Sequence, residues 1–252
     1  MIYAKKSLGQ HFLICSWVAP LLIKTAHIHT SDTILEVGPG KGALTYALAE
    51  TGANIMAIEK DERLAEALIQ ELATKQIRNV AIQTGDVLRS FPEIKGPYKV
   101  VANIPYYLTS RLVRKLLYET PNAPECIVMT VQKEVAERII ATPPHTNLLG
   151  LAVSFRAHAR IIKTIPPECF RPRPSVDSAI ILIEPNKQLV TLTTREAEEI
   201  LAIAKKAFQG KRKTIGNTLA LKKTLLPLSL IQKRPEALSI TEWIKIYNTI
   251  EA

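Results

Sequence analysis

The chain has 252 residues, 47% of them hydrophobic and 22% charged, a composition that excludes a disordered or fibrous protein and leaves an ordinary globular one. Its formal net charge of +10 is uneven: residues 185–252 carry 12 Lys or Arg against 6 Asp or Glu, and residues 1–184 carry 21 against 17. Such a surplus attracts polyanions, nucleic acid foremost, although solvated Lys-rich helix faces produce the same count.

Residues 1–6 are followed by Ser, Gly, Gln and His rather than by the apolar stretch of a secretory signal, and no apolar run reaches membrane-spanning length. A cytoplasmic location without membrane contact is expected. Residues 33–37, 54–58, 79–83, 98–102 and 126–131 are apolar, β-branched runs and read as strands. Between them, residues 44–50, 61–73 and 109–119 show apolar spacing near 3.6 and read as helices, as does 132–141. This alternation is the signature of βαβ units and a largely parallel sheet. Residues 151–159, 161–165 and 178–184 are expected as late strands. Pro166-Pro167 and Phe170-Arg171-Pro172-Arg173-Pro174 are expected to form a stiff loop among them, since proline excludes a helix or central strand. After Glu184-Pro185-Asn186 the strand pattern stops, and residues 195–209, 214–221 and 241–250 read as helices. A boundary near residue 186 is therefore expected, giving an α/β domain (1–186) and a small basic helical domain (187–252).

Glu36-Val37-Gly38-Pro39-Gly40-Lys41-Gly42 falls at the first strand-to-helix turn, where glycine permits tight curvature and close approach of backbone N–H groups to a ligand. The same letters fit the relaxed G-x-G-x-x-G/A dinucleotide pattern, so NAD and S-adenosylmethionine both remain open. Glu59 ends the second strand, where a carboxylate can accept both hydroxyls of a ribose, and Asp86 follows the third, where it can accept from an exocyclic amine. Either acid can equally be a capping or turn residue. Hydride transfer needs a proton donor on the substrate side, and nothing in the sequence nominates one. Methyl transfer from a sulfonium needs chiefly alignment and electrostatics.

Asn103-Ile104-Pro105-Tyr106 follows the fourth strand, at the end where open α/β sheets bind ligands. Asn103 offers a side-chain carbonyl and Ile104 a backbone carbonyl. Pro105 fixes its own φ and holds Ile104 extended, and Tyr106 adds a flat ring. A fork of acceptors beside an aromatic face suits the amino group of a base extruded from its helix, although the same residues also make an ordinary strand-ending turn. Cys15, Cys126 and Cys169 are odd in number and widely spaced, which fits reduced thiols rather than a disulfide or a zinc site. The five histidines show no ligand spacing, and no metal is expected.

Six motifs then stand in a familiar order: Lys6-Ser7-Leu8-Gly9-Gln10-His11-Phe12-Leu13, the Glu36–Gly42 loop, Asn103–Tyr106, Gln132-Lys133-Glu134-Val135, the Phe170–Ser178 stretch, and Gln209-Gly210-Lys211-Arg212-Lys213-Thr214. Across both domains the chain resembles the KsgA family of ribosomal RNA small-subunit adenine dimethyltransferases. The related macrolide-resistance methyltransferases of large-subunit rRNA share the first three motifs and a Phe-x-Pro-x-Pro element. The Val176-Asp177-Ser178 ending and the Lys211–Thr214 segment favour the former.

The resemblance implies a Rossmann-like S-adenosylmethionine-dependent methyltransferase domain of α/β class with a small C-terminal helical domain. It implies S-adenosylmethionine as methyl donor and, as substrate, the 6-amino groups of two adjacent adenosines near the 3′ end of small-subunit rRNA. Carried over by motif position, His11 and Leu13 line the cofactor, Gly38 meets its backbone, Glu59 its ribose and Asp86 its adenine, and Asn103 lies between cofactor and target. The family often has Asn where this chain has His11, and an acidic residue is common where Ile14-Cys15 stand. The expected catalytic set is Asn103, Ile104, Pro105, Tyr106 and Phe170, with Tyr106 and Phe170 stacking on opposite faces of the base; Phe170 can also simply anchor its loop. Lys211, Arg212 and Lys213 are expected to contact rRNA phosphates or, alternatively, to begin a solvated helix. The partner is expected to be small-subunit rRNA or a pre-small-subunit particle, met by a monomer. A non-catalytic ribosome assembly factor and an NAD-linked oxidoreductase are the readings from other classes.

Overall fold

A computed structural model of the chain describes residues 4–5, 8–186, 192–210, 212–219 and 226–251. In chain order the elements of the first half are β1 (Phe12–Leu13), α1 (Val18–Thr25), β2 (Thr33–Val37), α2 (Ala43–Ala49), β3 (Asn54–Glu59), α3 (Glu62–Thr74), β4 (Val80–Thr84), β5 (Lys99–Asn103), α4 (Thr109–Arg114) and β6 (Ile127–Gln132). There follow α5 (Lys133–Ile139), α6 (Leu148–Ser154), β7 (Ala157–Ile165), β8 (Phe170–Arg171), β9 (Ser178–Pro185), α7 (Thr194–Phe208), α8 (Ile215–Thr218), α9 (Leu228–Ile231) and α10 (Ile240–Glu251).

Seven strands form one sheet in the order β4-β3-β2-β5-β6-β9-β7, and β1 pairs with β8 in a separate ribbon. The first five of these strands are mutually parallel, while β9 runs antiparallel to β6. A parallel sheet covered on both faces demands near-continuous apolar runs, and β5 and β6 supply them: Val100, Val101 and Ala102, then Ile127, Val128 and Met129, are all fully buried. Helices α1 and α2 pack on each other, and their Val18, Leu22, Leu44 and Leu48 join Ile34, Ile55, Val101 and Val128 in one core. Leu64, Leu68 and Leu72 form the buried stripe of α3, at the four-residue spacing that keeps them on one helix face, against β3 and β4.

Residues 151–159 depart from their expected strand and divide between α6 and β7. Asn147 accounts for the helix start, because its side-chain oxygen accepts from the N–H groups of Leu149 and Gly150. An apolar run this short does not by itself distinguish a buried helix from a buried strand. Helix α4 ends at Arg114 and continues as a π-helical turn, Lys115–Glu119. The expected helix at 214–221 is observed as α8; residues 220 and 221 lie outside the described residues.

The stiff loop contains a strand that its prolines frame rather than interrupt. Phe170 and Arg171 pair antiparallel with Leu13 and Phe12. This pairing also corrects the cysteine reading: it draws Cys15 and Cys169, 154 positions apart, to a Cα separation of 4.8 Å, and they are joined by a disulfide. Cys126 remains a free, partly buried thiol.

By packing, the chain divides into one unit of Met1–Ala136 with Arg160–Pro185 and another of Glu137–Ala159 with Asn186–Ala252. Residues 137–159 thus group with the helical unit rather than with the α/β unit, because α6 packs against α7. In that second unit a capping box between Thr193 and Glu196 starts α7, which buries Ala197, Ile200, Leu201, Ala204 and Ala207. Helix α10 packs on it, with Trp243 buried near Phe208.

Candidate active site

From β2 the chain steps outward through β3 and β4, then returns to place β5 on the other side of β2. The two strands pair through Ile34–Lys99 and Leu35–Val100. This reversal of strand order opens a crevice at their carboxyl ends, the usual ligand position in such sheets. The glycine loop leaves β2 there and Asn103 ends β5 there. They are close enough that a Cβ on Gly38 would lie 3.6 Å from Pro105 Cδ. A pocket of about 760 Å³, open solvent at its mouth included, is lined by His11, Leu13, Gly38, Glu59, Asn103, Ile104, Pro105, Tyr106 and Phe170. A second pocket, about 340 Å³ with open solvent likewise included, also borders Gly38, Glu59 and Pro105 and adds Asp86. The structure therefore brings together the expected residues of the first unit.

The loop turns through Gly38, Gly40 and Gly42 at φ of 70°, 60° and 82°, a left-handed path that side chains disfavour. At Gly40 space is short as well: a Cβ would come within 3.3 Å of the Phe12 ring. Glu59 braces this loop. Its Oε2 accepts the Gly40 N–H and its Oε1 the Asp61 N–H, each at 2.9 Å. Burial pushes the Glu59 carboxyl up, and these backbone donors partly offset it. Asp86 meets Lys60 Nζ at 2.9 Å through Oδ2 and accepts the Leu88 N–H at 3.0 Å through Oδ1. The Lys60 ammonium holds the Asp86 carboxyl below its usual range. Glu36 also lines the larger pocket, and burial raises its pKa to about 8. Its Oε2 has no hydrogen-bond partner among the described residues.

Pro105 sits at φ −59° and ψ 136°, and Ile104 is buried at the pocket wall. Asn103 Oδ1 accepts a hydrogen bond from Thr130 Oγ1, its register partner on β6. The Tyr106 hydroxyl shares a 2.7 Å hydrogen bond with Ser178 Oγ. The ring stacked on Tyr106 is His11, whose Nδ1–H donates to the Pro172 carbonyl at 2.7 Å. Phe170 reaches the pocket but is only 2% exposed, packed in the core with Leu13. Its packing is that of a loop anchor, and it lines the same pocket as Tyr106.

Three further residues shape the site. Thr130 and Ser178 are fully buried hydroxyls; Thr130 interrupts an apolar run in β6, which marks it in the sequence, whereas Ser178 only opens β9. Asp61 reads in sequence only as a helix-start acid, yet it receives Lys5 Nζ at 3.3 Å, Gln10 Nε2 at 3.2 Å and Arg63 NH2 at 2.8 Å. It ties the segment before His11 to the start of α3, and Arg63 holds its carboxyl far below the usual range. Arg212 and Lys213 are exposed in the second unit, while Lys211 lies outside the described residues.

The family described as ribosomal RNA adenine dimethylase matches residues 1–251. A ribosomal RNA small subunit methyltransferase A of Dehalococcoides mccartyi (strain CBDB1) is 38% identical, over 96% of this chain and 87% of its own. Another, from Chlamydia muridarum, is 33% identical over 98% and 92%. Among solved structures, a dimethyladenosine transferase from Plasmodium falciparum matches with a TM-score of 0.79 at 24% identity, covering 94% of this chain and 96% of that one. The 23S rRNA methyltransferase ErmE matches with 0.73 at 24%, covering 96% and 100%. Both structural likenesses concern the fold, a Rossmann-like methyltransferase. With a full-length family match and relatives of this identity, the chain belongs to the ribosomal RNA adenine dimethylase family.

Proposed function

We propose that this protein uses S-adenosylmethionine to dimethylate the 6-amino groups of two adjacent adenosines near the 3′ end of small-subunit rRNA, during ribosome biogenesis in the cytoplasm. One observation carries the reading: Asn103–Tyr106 and the glycine loop face one pocket at the point where strand order reverses. The names of the relatives, small subunit methyltransferase A, favour the small subunit over the large.

The residues fit a cationic, hydroxyl-bearing cofactor. Buried Glu36 and Glu59 border the pocket, Glu36 keeps one oxygen without a partner among the described residues, and the left-handed glycines let backbone come close. Glu59 would hold the ribose, Asp86 the adenine and Gly38 the chain of the cofactor, with His11 and Leu13 at its side. When bound, S-adenosylmethionine supplies a methyl group already activated on a sulfonium.

An adenine amino nitrogen is a weak nucleophile because its lone pair is delocalised into the ring. Asn103 Oδ1 and the Ile104 carbonyl accept its two hydrogens, which favours a pyramidal nitrogen and stabilises the positive charge that develops on it. Pro105 holds these acceptors in place. Tyr106 supplies the stacking face, and Phe170 forms the wall beyond. Lys211, Arg212 and Lys213 contact rRNA phosphates, and the protein acts as a monomer on rRNA or a pre-small-subunit particle.

The test is to supply labelled S-adenosylmethionine with small- and large-subunit particles and to map the methylated nucleotides by mass spectrometry. Dimethyladenosine in small-subunit rRNA is expected. Asn103→Ala should still bind S-adenosylmethionine and lose methyl transfer; near-normal turnover would remove Asn103 from the mechanism. Label in large-subunit rRNA would favour the second reading, suggested by the ErmE-like fold. A thermal midpoint raised by nicotinamide nucleotides and not by S-adenosylmethionine would overturn both.

A further inference from the structure

We infer that Thr130 is a positioning residue for Asn103: its hydroxyl fixes which end of the Asn103 amide is the acceptor and holds that oxygen in place for the adenine amino group. The inference rests on the methyl-transfer reading above.

Thr130 is completely buried on β6, between Met129 and Val131, which are equally buried. A hydroxyl there is costly unless its proton finds an acceptor. Among the described residues, that acceptor is Asn103 Oδ1. The reverse orientation of the amide would turn Nδ2 toward Thr130, whose oxygen can accept from it, but would leave the hydroxyl proton without that acceptor in the strand interior. Thr130 therefore selects the rotamer with oxygen on its side. A carbonyl oxygen has two lone pairs, so one remains for the substrate after Thr130 has taken the other.

The hold is rigid at both ends. Asn103 and Thr130 are the last pair of the β5–β6 ladder, fixed by backbone register rather than by a loop. Thr130 is also β-branched, with restricted rotation about χ1. A second hydroxyl acts from the same sheet face: Thr130 opposes Ile180 and Gln132 opposes Ser178, so Thr130 and Ser178 are diagonal neighbours. Ser178 holds Tyr106 while Thr130 holds Asn103, and the two ends of the tetrapeptide are pinned by adjacent buried hydroxyls.

The experiment compares Thr130→Val, which replaces the hydroxyl with a methyl group, and Thr130→Ser, which keeps it. For Thr130→Val we expect kcat to fall about tenfold or more, with the KM for rRNA particles and the Kd for S-adenosylmethionine within about twofold of wild type. Thr130→Ser should recover kcat to within about threefold of wild type. A second readout needs no turnover: the side-chain amide signals of ¹⁵N-labelled Asn103, assigned by their loss in Asn103→Ala, should shift in the Val variant and return in the Ser variant. Should Thr130→Val not fold, Thr130→Ala is read in the same way. The inference is overturned if removing the hydroxyl leaves kcat or the amide signals unchanged, or if Val and Ser lose kcat alike. Wild-type protein that methylates no rRNA adenine would instead sink the methyl-transfer reading, while the amide signals would still report the Thr130 contact.

Discussion

The imidazole of His11 lies on the ring of Tyr106, with centroids 5.4 Å apart and planes 26° from parallel. Through its bond to the Pro172 carbonyl, this one side chain links the N-terminal segment, the tetrapeptide and the loop that follows Phe170. A base that stacks on the same face of Tyr106 must displace His11. Base–aromatic stacking contributes about 1–3 kcal/mol, enough to compete with such a contact. We expect His11→Ala to strengthen binding of an adenosine analogue by about threefold to tenfold, because the ring is uncovered in advance. The same variant should weaken S-adenosylmethionine, since His11 borders its proposed site. Paired calorimetric titrations with the two ligands check this, and equal loss for both would show that His11 supports the base rather than blocking it.

The Cys15–Cys169 disulfide closes a separation of 154 residues at the junction where β1 and β8 begin their pairing. Cross-links of this kind typically stabilise by about 2–4 kcal/mol, mainly through the unfolded chain. Reductant should therefore lower the thermal midpoint of wild type, and Cys169→Ser should have the lower midpoint with or without reductant. The ribbon also carries Leu13 and Phe170 into the pocket, so affinity for S-adenosylmethionine is expected to fall alongside. Alkylation under denaturing conditions gives the redox state directly: only Cys126 reacts while the bridge is intact, and all three cysteines react after reduction. A wild-type midpoint that ignores reductant would mean that the bridge does not contribute to stability.

Arg212 and Lys213 are exposed in the basic helical unit, where binding to rRNA phosphate is proposed. Removing a cation that meets a phosphate should weaken binding whatever the sequence and reduce the salt slope by about 1. The double charge reversal Arg212→Glu/Lys213→Glu is expected to lower affinity for small-subunit rRNA and to flatten the dependence of log K on log salt by about 2. Filter binding across a salt series measures both. Affinity and slope both equal to wild type would place the RNA-binding surface elsewhere.

What the letters reveal depends on whether the signal is local. The strands β2, β5 and β6 were legible because a sheet buried on both faces needs unbroken apolar runs. The glycine loop and Asn103–Tyr106 were legible because their chemistry lies in consecutive residues at strand ends. The β1–β8 ribbon was not, since two residues carry no period, and the disulfide followed from that pairing rather than from cysteine spacing. Residues 151–159 misled because the capping residue, Asn147, outweighed an ambiguous apolar run. The hold of Thr130 on Asn103 depends on register between strands, which only the folded sheet defines. The same is true of the packing that draws Phe170 into the core and leaves His11 against Tyr106.

Glu36 provides a pH-dependent handle on the cofactor site. Burial raises its pKa from 4.5 to about 8, so near neutral pH the folded protein holds a proton there that the unfolded chain releases. For an acid shifted in this direction, the stabilising contribution is complete below its unfolded pKa and disappears as pH rises through the folded pKa. Stability of the free protein should therefore decline between about pH 4.5 and 8 on account of this group. A cationic ligand bound beside Glu36 favours the carboxylate and pulls its pKa down, which releases the proton on binding. Affinity for S-adenosylmethionine is then expected to rise from about pH 6 to 8, by at most about tenfold per unit, and to level off above. Glu36→Gln, neutral throughout, should flatten the rise, weaken binding most at the upper end, and remove the loss of stability in the free protein. Calorimetric titrations across that range, in buffers of different ionisation enthalpy, count the protons released. A slope shared by wild type and Glu36→Gln would assign the titration to another group.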